Sequence, residues 1–285
     1  MTPEVVAEPG AELGEGALWD DRCGRLLWVD IVAGAVHELD PLSGAQRTWQ
    51  VGGLVGALAL ADDGRLVLGI DGRLATLDRS SGDVEPLAQL VTDPDIRCND
   101  GGVDPQGRLL VGTMSISGVK GAGGLYRVED GGRVTPLLEG VTISNGLDWD
   151  RAGALLHHID SPTGRVRAYA YGAGGPLTPV GPGIDVGAVP GMPDGMTVDA
   201  DGRLWIAFWD GGEVRCFDPD GTELERLRLP VGYVTSCAFG GPALDELYVT
   251  TARWDRPSGQ EPLAGAVFRF RPGATGRPAP RWDGR

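Results

Sequence analysis

A short signature recurs six times along the chain: an acidic residue, a turn glycine, a basic residue and then an alternating apolar run. It reads Asp20-Asp21-Arg22-Cys23-Gly24-Arg25-Leu26-Leu27-Trp28, then Asp62-Asp63-Gly64-Arg65-Leu66 and Asp104-Pro105-Gln106-Gly107-Arg108-Leu109-Leu110. It returns as Asp150-Arg151-Ala152-Gly153-Ala154-Leu155-Leu156, as Asp199-Ala200-Asp201-Gly202-Arg203-Leu204-Trp205, and in degenerate form around Asp245. The turns at 24, 64, 107, 153, 202 and 245 lie 40 to 49 residues apart, room for about four short strands each. Tandem units of this size, each a small antiparallel sheet, predict an all-β, six-bladed β-propeller with four antiparallel strands per blade. The 285 residues are then one domain, although length alone would allow two. The 47 glycines and 21 prolines, with few aromatics, fit many turns and exclude a mainly helical chain. The first unit starts too early for a complete last blade to precede it, so Val5-Val6-Ala7-Glu8 is expected to pair with the final sheet and close the ring. Residues 271–285, rich in Pro, Gly and Arg, are expected to form a C-terminal tail over the surface.

The formal net charge of −15 repels phosphate backbones and anionic lipid heads, and no basic patch offsets it. Nucleic-acid and membrane partners are therefore not expected, whereas a cation is favoured. The start Met1-Thr2-Pro3-Glu4 lacks the basic and apolar run of a secretory signal. The longest apolar stretch, Leu54 to Ala61, is far too short to span a bilayer. Cys23, Cys98, Cys216 and Cys237 are widely spaced and read as reduced thiols of a cytoplasmic protein.

Eight positions before each turn stands the residue that enters a blade's first strand. These are Gly56, Asn99, Asn145, Asp194 and Cys237 (beside Ser236), with Glu15 as the equivalent in the first unit, whose turn is one residue longer. First strands line the central channel and start at the same end, so equivalent positions converge on the axis. Glu15, Asn99, Asn145 and Asp194 are expected to face one another at one mouth. Taken singly, Asn145-Gly146 and Asp194-Gly195 read as turn formers; four coincident positions favour a ligand site. Two carboxylates and two amides without His or Cys suit a hard divalent ion such as Ca2+, Mg2+ or Mn2+ over structural zinc.

The chain also resembles the SMP-30/gluconolactonase/regucalcin family of propeller lactonases along nearly its whole length. The resemblance is carried by Leu13-Gly14-Glu15-Gly16, Trp28-Val29-Asp30-Ile31, Arg97-Cys98-Asn99-Asp100-Gly101, Gly112-Thr113-Met114, Ile143-Ser144-Asn145-Gly146-Leu147, Ile159-Asp160-Ser161, Pro193-Asp194-Gly195-Met196 and Thr235-Ser236-Cys237-Ala238-Phe239. It implies that Glu15, Asn145 and Asp194 are ligands of one divalent cation (Ca2+, Mg2+, Mn2+ or Zn2+) and that Arg97 and Asn99 contact substrate hydroxyls. Three residues after Gly112-Thr113-Met114, some members carry a glutamate that touches the sugar. Here that position is Ser117, so hydroxyl recognition at that point is expected to differ.

The implied reaction is the opening of a small-molecule sugar lactone to its aldonic acid. The cation polarises the carbonyl, and Asp194 acts as general base toward the attacking water. No Gly-x-Ser-x-Gly elbow supports a serine nucleophile. His157 and His158, placed in the fourth blade's first run, are expected to be packing residues with one on the channel side. Trp19, Trp28, Trp149 and Trp205 are expected between blades, whereas Trp209 and Trp254 fall near loops and are candidates to flank a pocket. Cys98 is expected to point away from Arg97 and Asn99 by strand alternation. Two rival readings keep the same architecture: hydrolysis of organophosphates or other esters at this site, and a noncatalytic calcium-binding propeller.

Overall fold

Each turn glycine that punctuates the repeat takes the left-handed backbone its position requires: Gly24, Gly64, Gly107, Gly153 and Gly202 have φ between +67° and +91°. In the degenerate sixth copy Leu244 adopts φ +55° in glycine's place. The acidic and basic members of the signature lock these turns. Asp104 accepts the backbone N–H groups of Gln106 and Arg108 and the Arg108 Nε (2.6 Å). Asp199 repeats the pattern with Asp201, Arg203 and the Trp205 indole N–H. The repeat is thus a turn clamp, and the apolar run after it becomes the next strand.

The computed structural model describes residues 2–284 apart from 9, 173, 175 and 257–259. Its strands form six antiparallel sheets arranged as the blades of a propeller. The innermost strands are Gly14–Asp20, Val55–Leu60, Ile96–Val103, Ser144–Trp149, Met192–Val198 and Val234–Gly240, belonging to blades 1 to 6 in that order. In blade 4 the outermost position is shared by two short segments, Thr178–Pro179 and Ile184–Asp185. The N-terminal strand Glu4–Ala7 pairs with Val267–Phe270 and supplies the outermost strand of blade 6, closing the ring. Among the described residues no helix is long and apolar enough to cross a membrane.

The core lies between neighbouring blades. Trp28 and Trp205 are fully buried, Trp19 stacks on Tyr248 and Trp149 meets Tyr171 edge-on. Burying such side chains is worth about 1.5–3 kcal/mol each. All four cysteines are free thiols. Cys98 packs into the blade 2–3 interface, away from the neighbours that flank it in sequence. His157 and His158 sit on the second strand of blade 4, Leu155–Asp160, one step out from the axis rather than on the first run. His158 meets the Ser144 hydroxyl at 2.8 Å, and burial pushes its pKa down to about 4, so it packs as a neutral ring.

Beyond Phe270 the chain crosses the end of the propeller that carries the signature turns, touching every blade in succession. Gly276 N–H donates to Leu244 O in blade 6, and Thr275 O accepts from Ala200 N–H in blade 5. Arg277 reaches Asp148 (3.0 Å) and the carbonyls of Trp149 and Asp150 in blade 4. Arg281 pairs with Asp20 and Asp21 in blade 1. Trp282, buried, exchanges backbone hydrogen bonds with Leu60 and Asp62 in blade 2, and Asp283 N–H donates to Gly107 O in blade 3. Arg285 lies outside the described residues.

Candidate active site

Every innermost strand breaks register near its entry, at the expected ring residues in blades 1 to 5 and just ahead of Cys237 in blade 6: between Glu15 and Leu18, Val55 and Ala57, Cys98 and Asp100, Asn145 and Leu147, Pro193 and Met196, and Val234 and Ser236. Such bulges re-aim side chains and interrupt the two-residue alternation. Crowding around the axis explains the glycines beside them. A Cβ on Gly146 would lie 2.6 Å from Asp194 O, one on Gly195 2.7 Å from Ser236 Cα, and one on Gly56 2.2 Å from Cys98 O. Asn145-Gly146 and Asp194-Gly195 are therefore mid-strand close approaches and not turns. Gly146→Ala must push the Asp194 backbone away. The expected result is a loss of about 1–3 kcal/mol in stability together with at least about tenfold lower turnover, read by thermal unfolding and a hydrolysis assay. Wild-type values for both would show that the two strands tolerate separation.

Glu15, Asn99, Asn145 and Asp194 line one cavity of about 220 Å³ at the end of the propeller opposite the signature turns. Arg97 lines it too. Gly56 and Ser236 do not, and Cys237 and Ser236 face a second cavity deeper in the channel. Ser117 is not brought to the site. It lies exposed on the loop after Leu109–Ser115, where its hydroxyl (2.7 Å) and its N–H (3.0 Å) both donate to Asp95.

The amides are oriented by an unbroken chain of bonds. Ser144 O can only accept, so it takes Asn99 Nδ2 at 3.0 Å. The same nitrogen donates to Asn145 Oδ1 at 2.9 Å, and Asn145 Nδ2 donates to Ser161 Oγ at 2.8 Å. This leaves the Asn99 oxygen and the second lone pair of Asn145 Oδ1 available to a ligand. Arg97 donates to Cys98 O (2.9 Å) and Met114 Sδ (3.1 Å), which leaves further N–H groups of its guanidinium uncommitted.

The electrostatics are out of balance. Burial, reinforced by Asp100, pushes the Glu15 pKa up to about 8, against the Gly16 N–H and Arg97. Burial, then Glu15 and Asp100, raises Asp194 well above the usual carboxylate range. No hydrogen bond from a described residue contributes to holding the Asp194 charge. Arg97, itself lowered by burial, is the one cation among the described residues lining the cavity. The buried Asp194, the half-buried Glu15 and an amide oxygen, with so little countercharge, form a donor set suited to a hard divalent cation. Among the described residues no three His, Cys, Asp or Glu side chains cluster as ligands, because the third donor here is an amide.

Sequence reading missed Asp100, Ser161 and Met192. Asp100 faces the deeper cavity, and burial raises its pKa to about 7 against the Gly101 N–H. Alternation would have turned it away from Asn99's side, but the bulge between Cys98 and Asp100 breaks that alternation. Trp209 and Trp254 do flank the pocket, together with Met192.

Residues 13–253 match the family described as the SMP-30/Gluconolactonase/LRE-like region. Pentonolactonase XacC of Haloferax volcanii is 40% identical over 294 residues, covering 100% of this chain and 99% of the relative. The 6-deoxy-6-sulfogluconolactonase of Pseudomonas putida is 35% identical, with 98% of each chain covered. The crystal structure of regucalcin from Agrobacterium tumefaciens, described as a calcium-binding protein, superposes with a TM-score of 0.92 at 30% identity and covers 99% of this chain and 97% of that one. With its blades, its axial cavity and these matches in agreement, the chain belongs to the SMP-30/gluconolactonase/LRE-like family.

Proposed function

We propose that this protein hydrolyses a sugar lactone to the aldonic acid with the help of one divalent cation. The observation that carries the reading is the meeting of the half-buried Glu15 and the buried Asp194, both short of countercharge, with the oriented Asn99–Asn145 pair and Arg97 in one cavity. Relatives named as lactonases of pentonic and sulfogluconic acids support the substrate class, and the calcium-binding relative makes Ca2+ the first ion to test.

Glu15, Asn145 and Asp194 would hold the cation. When bound, it supplies the positive charge that polarises an ester carbonyl and offsets the negative charge that develops on its oxygen. The uncommitted N–H groups of Arg97 form charge-assisted hydrogen bonds to substrate oxygens, and the free oxygen of Asn99 accepts from a hydroxyl. Asp194 takes a proton from the water that attacks the carbonyl carbon. As the ring C–O bond breaks, that proton passes to the departing ring oxygen, leaving a hydroxy acid.

The direct test is pH-stat titration of several five- and six-carbon aldonolactones after chelation and re-addition of Ca2+, Mg2+, Mn2+ or Zn2+. Acid release that vanishes with the chelator and returns with a divalent ion is the expected result. Full activity after verified metal removal overturns the cation's role. Inert lactones alongside rapid cleavage of an organophosphate triester would assign the site to that chemistry instead.

A further inference from the structure

Beside the polar groups of Glu15, Arg97, Asn99, Asn145, Ser161 and Asp194, the cavity is lined by carbon and sulfur: Leu13, Ile31, Met114 and Ile143, and, from blades 5 and 6, Met192, Trp209 and Trp254. The aromatic wall is built up from behind. Trp209 stacks on Tyr233 with centroids 4.1 Å apart, and Trp254 meets Trp209 edge-on at 6.3 Å. Arg256 lies over the Tyr233 ring at 4.3 Å, paired with Asp210, so this cation braces the stack and does not line the cavity. Trp254 is 46% exposed and held at φ +39°, a conformation an aromatic residue rarely adopts. Its N–H donates to Glu12 O at 2.7 Å, while Arg253 N–H donates to Ala11 O, fixing the strained segment to the chain that enters the neighbouring blade 1. Strain held at an exposed indole over a cavity is the pattern of a ligand clamp.

Resting on the sugar-lactone reading, we propose that this wall is a subsite for the uncharged, unhydroxylated end of the lactone. The polar groups of the lining then read the carbonyl and the ring hydroxyls, and the indoles cover carbon 5 of a 1,5-lactone, the ring carbon bonded to the ring oxygen, with whatever substituent it carries. The substrate class that follows is pentono-1,5-lactones and 6-deoxyhexono-1,5-lactones. A hydroxyl at carbon 6 would surrender its water against Trp254 and Met192 and find no partner there. A phosphate or sulfonate would lose more, since no described lining residue on that side carries positive charge.

The test compares kcat/KM for D-xylonolactone, 6-deoxy-D-gluconolactone, D-gluconolactone and 6-phospho-D-gluconolactone under one cation and one pH. The first two are expected to exceed D-gluconolactone by about tenfold or more, with the phosphorylated compound slowest. Trp254→Gly, which suits the positive φ, should bring the ratios toward one mainly through KM, and Trp254→Phe should preserve them. A wild type that favours the 6-hydroxyl or 6-phosphate, or a Trp254→Gly variant with unchanged ratios, overturns the subsite alone. If all four lactones are inert with every divalent ion, the lactonase reading fails and the subsite with it.

Discussion

Asp194→Ala is expected to abolish lactone hydrolysis, lowering kcat/KM by about a thousandfold or more, while the protein remains folded. The residue serves twice in the proposed chemistry, as a cation donor and as the base. Its carboxylate, however, supports no neighbouring turn or strand through a hydrogen bond from a described residue. Burial and two nearby carboxylates disfavour its charge, so Asp194→Asn, which keeps shape and loses charge, should unfold at a higher temperature than wild type when no divalent ion is present. Activity at the chemical centre is thus set against stability, as at other strained sites. Circular dichroism, thermal unfolding and lactone titration on the same preparations check this. Retained turnover removes Asp194 as base, and a lowered unfolding temperature in the asparagine variant shows that its charge is compensated in a way the geometry does not reveal.

The second large effect is a pH dependence that a divalent ion reverses. In the cation-free protein the Glu15 pKa stands at about 8, against an ordinary value of 4.5, and Asp194 is raised as well. Between those two values the folded chain holds protons that the unfolded chain has already released. Stability is therefore fullest below about pH 4.5 as far as these groups are concerned, and falls as pH rises toward 8. A cation takes the place of those protons and binds only the folded state, so its effect should grow with pH. Unfolding temperatures with chelator should decline from pH 5 to pH 8.5, and saturating divalent ion should lift the value at pH 8.5 by several degrees. A chelated protein that is equally stable across this range, or indifferent to every divalent ion, would show that Glu15 and Asp194 do not share a cation.

Much of this was legible in the sequence because the repeat carries its own geometry. Asp-Gly-Arg spacing located the turns, and eight residues back from them stood Asn99, Asn145 and Asp194, which the structure brings to one cavity with Glu15. Arg97 came from family resemblance, since no periodic rule selects it. What escaped lies where local rules fail. Asp100 sits beyond a bulge that resets alternation, so its closeness to Glu15 and Asp194 could not be read from a strand pattern. Trp209 and Trp254 were legible as pocket candidates from their place near loops, but their edge-on contact and the strained backbone of Trp254 come only from the packing of blades 5 and 6. Ser117 also came from family resemblance, by its position three residues after Met114, and there a neighbouring Asp95 decides where the hydroxyl points.

The segment that runs beneath the ring has a temporal consequence. Blade 6 needs residues from both extremes of the chain, and the underside is fastened only when Arg277, Arg281 and Trp282 reach blades 4, 1 and 2. During synthesis the circle cannot close until Val267–Phe270 has been made. A chain that stopped after residue 273 would keep that seam but leave the base unlocked, and would be a natural substrate for quality-control proteases.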